Sequence, residues 1–238
     1  NNYFWIEPKG IFEQSEIWNK YNKNNIQPQY IEKGKRIAED LVSNVYGFRS
    51  PKNIDDSDIK YENELYFIPM DNIFEVGWLP KNHSVSVARF PHHPEPIEFL
   101  NRLQEKVEEF GGTLLVKPHP SCSYLQNQGY HNTVQYDLKK IMQQADYVLC
   151  NYTKVAFPAL AMGKTIITFS KNIVACSGVC FYYKTINELS QEIRYIQKSD
   201  SYWMKIYNYL GWLAIEHFYT YDCDGVSSIL RFLQSIQK

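Results

Sequence analysis

Four short apolar runs limit what this chain can become. They are Leu65-Tyr66-Phe67-Ile68, Thr113-Leu114-Leu115-Val116, Tyr147-Val148-Leu149-Cys150 and Thr165-Ile166-Ile167-Thr168-Phe169. None alternates polar with apolar residues, so a strand built from any of them must be covered on both faces. The residues between them carry a helical period instead. In Glu95–Phe110, Pro96 suits the first helical position, Ile97, Leu100, Leu103, Val107 and Phe110 form one stripe, and Gly111-Gly112 ends it. Asp137 caps a second helix with Leu138, Ile141, Met142 and Ala145 on its apolar face, and a third helical stretch runs to Gly163. Thr133-Val134-Gln135 and Val179–Tyr182 read as further short strands. Buried strands alternating with helices predict an α/β fold with a parallel sheet and helices on both faces.

The chain divides into three stretches. Residues 1–60 are polar and rich in Asn and Lys, with a helix expected over Lys35–Asn44, and read as a peripheral segment or connector. Residues 61–185 hold the strand–helix alternation. Residues 186–238 are almost wholly helical in pattern and dense in aromatics, which read as core and interhelix packing. The 238 residues, 44% of them apolar, exclude intrinsic disorder and need no disulfide or metal to fold. Lys and Arg number 25 against 26 Asp and Glu, so the chain has no overall basic footprint for nucleic acid. No run approaches the roughly 18 apolar residues of a membrane span. Five cysteines, without a Cys-x-x-Cys pair, point to reduced thiols and a cytoplasmic protein, attachment at the inner membrane face remaining open. The start, Asn1-Asn2-Tyr3-Phe4-Trp5, has no signal-peptide pattern and no initiator Met, so a fragment or a processed product is expected.

Ligands of an open parallel sheet bind beyond the carboxyl ends of its strands. Three such loops carry chemistry. Lys117-Pro118-His119-Pro120 places a cation and an imidazole in a turn stiffened by two prolines, suited to a phosphate; the plain alternative is a Pro-rich turn with a surface His. Asn151-Tyr152-Thr153 offers caps for the helix that follows, hence an anion site at its N-terminus, or capping without a ligand; paired with the first loop it predicts phosphate donors from two adjacent strand ends. Asp71, in Pro69-Met70-Asp71-Asn72, could accept a hydrogen bond from a sugar or base, or serve only its turn. Other signals fail. Gly163-Lys164-Thr165 follows a helix and enters a strand, the reverse of a P-loop, and neither G-x-G-x-x-G nor G-x-S-x-G occurs. His83, His92 and His93 lie among prolines without supporting carboxylates, so no metal site is expected. Pro158 conflicts with the helix after Asn151, which must be kinked or begin near it.

These residues resemble a family. Leu115-Val116-Lys117-Pro118-His119-Pro120, then Ala145–Thr153, then Ala159-Leu160-Ala161-Met162-Gly163-Lys164-Thr165-Ile166 look like the C-terminal half of the capsule polysaccharide biosynthesis glycosyltransferases, a group that includes the Kdo transferases. Trp5-Ile6-Glu7-Pro8-Lys9-Gly10 with Gln14-Ser15 resembles their segment near the acceptor, and Phe67–Asp71 resembles an early strand. Where the family has an acidic residue before Ala-Leu, this chain has Pro158. The resemblance implies a Rossmann-like domain of GT-B C-terminal type and a CMP-activated donor such as CMP-Kdo. It implies no cofactor, no metal, and a glycan or lipid-linked acceptor. It gives His119 and Thr153 the nucleotide phosphate, with Lys117, Asn151 and Tyr152 beside them, and Glu7 the acceptor proton or the nucleophile's role. The same motifs are similar to the CDP-glycerol glycerophosphotransferases of teichoic acid synthesis. A third reading is a non-catalytic nucleotide-binding half-enzyme that completes its cleft with a partner domain or chain, because a two-domain transferase is longer than this chain.

Overall fold

The structure, a computed structural model, describes residues 3–5, 20–43, 61–71, 73, 95–120, 122–130, 133–134, 136–151, 155–170, 172–190 and 199–220. Its centre is a sheet of five parallel strands: β2 (Leu65–Pro69), β3 (Thr113–Lys117), β4 (Tyr147–Leu149), β5 (Thr165–Thr168) and β6 (Cys180–Tyr182). The spatial order is β3-β2-β4-β5-β6. The chain therefore winds outward from β2 to β3, then returns past β2 and continues the other way. The expected α/β class, with helices on both faces, is what the structure shows.

Each strand feeds two cores, as its unbroken apolar run requires. Leu65 and Phe67 pack on one face and Tyr66 and Ile68 on the other. The same period of two sends Val148 to the first face and Tyr147 and Leu149 to the second. The second face is covered by α2 (Pro96–Glu109), where Phe99, Leu100, Leu103 and Val107 are all fully buried. Burial of each such side chain contributes roughly 1.5–3 kcal/mol. The short α3 (Tyr124–Asn127) extends this layer with Tyr124 and Leu125. The first face carries α1 (Pro28–Ser43), α4 (Leu138–Gln144), α5 (Ala156–Ala161) and α6 (Asp200–Glu216). Asp137 caps α4 as expected, accepting from the backbone N–H of Lys139 at 2.9 Å and of Lys140 at 3.1 Å.

The Pro158 conflict resolves at the start of α5. Val155 stands at the cap and Pro158 is the third helical residue, where no intrahelical donor is needed. The first helical bond comes one residue later, from Ala159 N to the Val155 carbonyl at 3.1 Å. The helix closes on Gly163, at φ +68°, with Lys164 N bonded to the Ala159 carbonyl at 3.0 Å. The Trp203 ring lies where a Cβ on Gly163 would point, 2.3 Å away.

Helix α1 begins at Pro28, earlier than the expected Lys35, and its inner face joins the first core through Tyr30, Ile37 and Ala38. It packs antiparallel on α6 with backbone close to backbone. A Cβ added at Gly34 would lie 1.8 Å from the Tyr207 carbonyl oxygen, and one at Gly211 would lie 1.8 Å from that of Tyr30. Asn208, fully buried in α6, reinforces the contact. Its Oδ1 accepts from Gln27 N at 2.9 Å, just ahead of α1, and its Nδ2 donates to the Asn25 carbonyl at 3.2 Å.

The C-terminal stretch is not helical throughout. Residues Ile186–Glu188 form one turn of 3-10 helix, and β7 (Phe218–Thr220) pairs antiparallel with β1 (Tyr3–Trp5). Apolar density with aromatics suits strand and helix alike, so the pattern did not separate them. Tyr202, Tyr209 and Trp212 are buried core residues, as the packing reading expects. The strand expected at Thr133–Gln135 is reduced to a single parallel bridge from Thr133 to Val116, with Gln135 outside the described residues. No helix among the described residues is long and apolar enough to cross a membrane.

Two predictions follow from this packing. Gly211→Ala should destabilise the fold by about 3 kcal/mol or more, because the methyl meets backbone that cannot rotate away. Gly129→Ala, which meets nothing within 4 Å, should cost only the strain of φ +73°; urea titration of both separates the two causes. The Tyr202 phenol is pushed up by burial to about 12 from 10.0. Between those values the unfolded chain loses a proton that the folded one keeps, so stability falls as pH rises, by about 2–3 kcal/mol in all. Tyr202→Phe should flatten that alkaline loss in denaturation midpoints taken from about pH 9 to about pH 11.5.

Candidate functional site

The strand register builds one edge. Pro69 pairs with Lys117 across β2 and β3, and Thr168 pairs with Tyr182 across β5 and β6. Extending the pair Phe67–Val148 by two steps and Leu149–Ile167 by one sets Cys150 beside Pro69 and Thr168. Lys117, Pro69, Cys150, Thr168 and Tyr182 thus form a row across the carboxyl end of the sheet. The winding direction reverses between β2 and β4, which is where an open α/β sheet leaves a crevice for a ligand. The residues just past the row at that point are Met70 and Asp71 on one side and Asn151 on the other.

Asp71 is 8% exposed, a carboxylate held in the mouth of the sheet. Its charge reaches Cys150: burial first, then Asp71, pushes that thiol well above its ordinary value. The carboxylate and the thiol are thus within electrostatic reach of each other at the reversal point. On the far side of β2, the Lys117 carbonyl accepts from Met70 N at 2.9 Å, which fastens the two strand ends together.

Lys117 is 7% exposed, and its ammonium donates to the Tyr136 carbonyl at 2.7 Å. Burial lowers its pKa, and the Asp137 carboxylate beyond Tyr136 pulls part of that back. The side chain ties the end of β3 to the start of α4 while bringing a positive charge to the carboxyl edge. His119 follows two residues later, half-buried, and its carbonyl accepts from Cys122 N at 2.9 Å, closing the turn.

Asn151 is 5% exposed but does not cap α5, which starts at Ala156 with Val155 at its cap and no side-chain bond there. Its Oδ1 accepts instead from Phe169 N at 3.2 Å, so the carboxamide bridges the ends of β4 and β5. The capping expectation fails because the helix begins four residues later than the polar pair suggested. Tyr152, Thr153 and Glu7 lie outside the described residues, as do His83, His92 and His93. Among the described residues, no three His, Cys, Asp or Glu side chains gather as a metal site.

A second correction concerns neighbours. The loops after β3 and β4 were expected to be adjacent, but β2 lies between them. Two strand spacings separate them, about 10 Å, and Asp71 stands in the gap. The structure also adds residues that the sequence reading passed over: Thr168, Ser170 and Asn172, all buried, which bond to one another and to the Asn151 carbonyl. Their signal was present, since three polar residues spaced by two at the end of a buried strand must find partners.

Comparison of the sequence with protein families and with curated proteins gives no match. Solved structures do resemble the fold. The Thermosulfurimonas dismutans protein KpsC described as a beta Kdo 2,7 transferase overlays with a TM-score of 0.56 at 16% identity, over 99% of this chain and 73% of its own. The KpsC of the same organism described as a beta Kdo 2,4 transferase gives 0.50 at 15% identity, over 86% of this chain and 64% of its own. The wall teichoic acid polymerase TagF gives 0.33 at 13% identity, over 74% of this chain and 42% of its own. For the two KpsC proteins the likeness, at these identities, is one of fold, and this chain spans only part of the length of each of the three.

The Lys117 bond yields a prediction. Lys117→Met leaves the Tyr136 carbonyl without its ammonium and should cost about 1–3 kcal/mol of stability. His119→Ala, at a half-buried turn, should cost under about 1 kcal/mol. Guanidinium unfolding of the two variants in parallel checks the contrast.

Proposed function

We propose that this chain forms the donor-binding part of a glycosyltransferase of surface polysaccharide synthesis, taking a CMP-activated sugar such as CMP-Kdo. The observation that carries the reading is the carboxyl edge. Lys117 and His119 end β3, Asp71 ends β2 and Asn151 ends β4, so a cation, an imidazole and a carboxylate stand on one side of the reversal point and a carboxamide on the other. The fold likeness to two proteins described as Kdo transferases supports it. A second domain would complete the cleft and present a glycan or lipid-linked acceptor.

In this reading the leaving CMP gathers negative charge as its bond to the sugar breaks. His119 would meet the phosphate, with the Lys117 charge behind it, and the preorganised donors would stabilise the departing oxygen. Asp71, on the next strand end, would face the sugar or ribose hydroxyls. Thr153 and Tyr152 would complete the phosphate loop, and Glu7 would take the acceptor proton or attack the donor.

Isothermal titration with CMP and CDP tests this. CMP should bind, and His119→Ala should weaken it about tenfold or more, the worth of one charge-assisted hydrogen bond. Absence of binding at millimolar nucleotide, or unchanged affinity in the variant, removes the proposal. A hydrolysis assay with CMP-Kdo against CDP-glycerol then selects the donor.

A further inference from the structure

Beyond the candidate site, the most ordered polar feature of the described residues is a buried knot behind it. Thr168 is fully buried, and Ser170, Asn151 and Asn172 are 3%, 5% and 6% exposed. The Ser170 hydroxyl donates to the Asn151 main-chain carbonyl at 2.7 Å. Asn172 Nδ2 donates to the same carbonyl and to Thr168 Oγ1 at 3.0 Å, and lies 3.3 Å from the Cys150 carbonyl. Asn172 Oδ1 accepts from Val174 N at 2.9 Å and Ala175 N at 3.0 Å. Thr168 Oγ1 donates to the Ser170 carbonyl at 3.0 Å and accepts from Ser170 N at 3.2 Å. The Asn151 carboxamide returns the connection through Phe169 N.

We propose that Ser170 and Asn172 are positioning residues that clamp the Asn151 carbonyl and so fix the peptide leaving β4 in the geometry that ligand binding at this edge needs. The inference rests on the donor-site reading above. Two side-chain donors converge on one carbonyl of the loop that borders the crevice, and both come from the loop after the neighbouring strand. Buried polar groups cost stability unless fully bonded. An apolar pair would serve packing alone equally well. Hydroxyl and amide donors at this spot hold a direction, which packing does not.

The test uses the full chain with Ser170→Ala and Asn172→Asp. The Asp variant keeps an oxygen for Val174 N and Ala175 N but turns the donor facing Asn151 into an acceptor. Two readouts are taken. The first is alkylation of Cys150, mapped by mass spectrometry against Cys122 as internal reference. Cys150 is 1% exposed and its carbonyl lies 3.3 Å from Asn172 Nδ2, whereas Cys122 is half-buried. Both variants should raise the Cys150 rate about tenfold relative to Cys122, with the thermal unfolding of Ser170→Ala close to wild type. The second readout is CMP titration, where each variant should weaken affinity about fivefold. Wild-type Cys150 rates in both variants overturn the clamp. So does wild-type CMP affinity in variants whose Cys150 has become reactive. Should Asn172→Asp not fold, Ser170→Ala decides. If the wild-type chain takes up no CMP, the donor reading falls and the Cys150 rates alone judge the clamp.

Discussion

The described part of this protein is arranged around three central strands, β2, β4 and β5, that have no wet face. Phe67 in β2, Val148 in β4 and Ile166 in β5 are all fully buried, and their neighbours along each strand are buried on the opposite side. Two-sided burial obliges the chain to supply a helical layer twice. On the α2 face the layer comes from a helix adjacent in sequence. On the other it comes from α4 and α5 against the strands, with α1 and α6 packed over α5 and meeting backbone to backbone at Gly34 and Gly211. Glycine inside a helix costs about 1 kcal/mol relative to alanine. Here that cost is offset by an approach no side chain would permit, so the helices cover the sheet as one unit.

The same constraint explains where polar chemistry collects. A sheet wrapped on both faces opens only at its strand ends, and the carboxyl end is where Lys117, Asp71 and Asn151 are found. Each is nearly buried yet bonded or charge-coupled. Lys117 is held by the Tyr136 carbonyl, Asn151 by Phe169, Ser170 and Asn172, and Asp71 raises the thiol across from it. Such an edge is stiff before any ligand arrives, which lowers the ordering cost of binding. His119, half-buried and set between prolines, remains reachable from solvent.

Much of this was legible from residues alone. The helix from Pro96, the Asp137 cap and all five parallel strands follow from periodicity and turn chemistry, because those are local effects. Pro158 announced either a kink or a helix start, and the structure shows the start, two residues before it. Asn151 misled, since a polar residue after a strand reads as a helix cap whether or not the helix begins there. The Ser170 and Asn172 contacts were invisible because they join residues 19 and 21 positions apart through a neighbouring strand. The close pairing of α1 and α6 spans most of the chain, and two isolated glycines carry no sign of each other.

The sequence by itself determined a parallel, doubly covered sheet with basic and polar residues at its strand ends, for hydrophobic period and turn residues act over a few positions. Tertiary structure alone decided the order of the strands. It set β2 between β3 and β4, placed Asp71 in the gap between the two loops, and turned Asn151 from a cap into a bridge. Strand order is settled by which long crossover buries most surface, and that sum over distant contacts is written in no single stretch of residues.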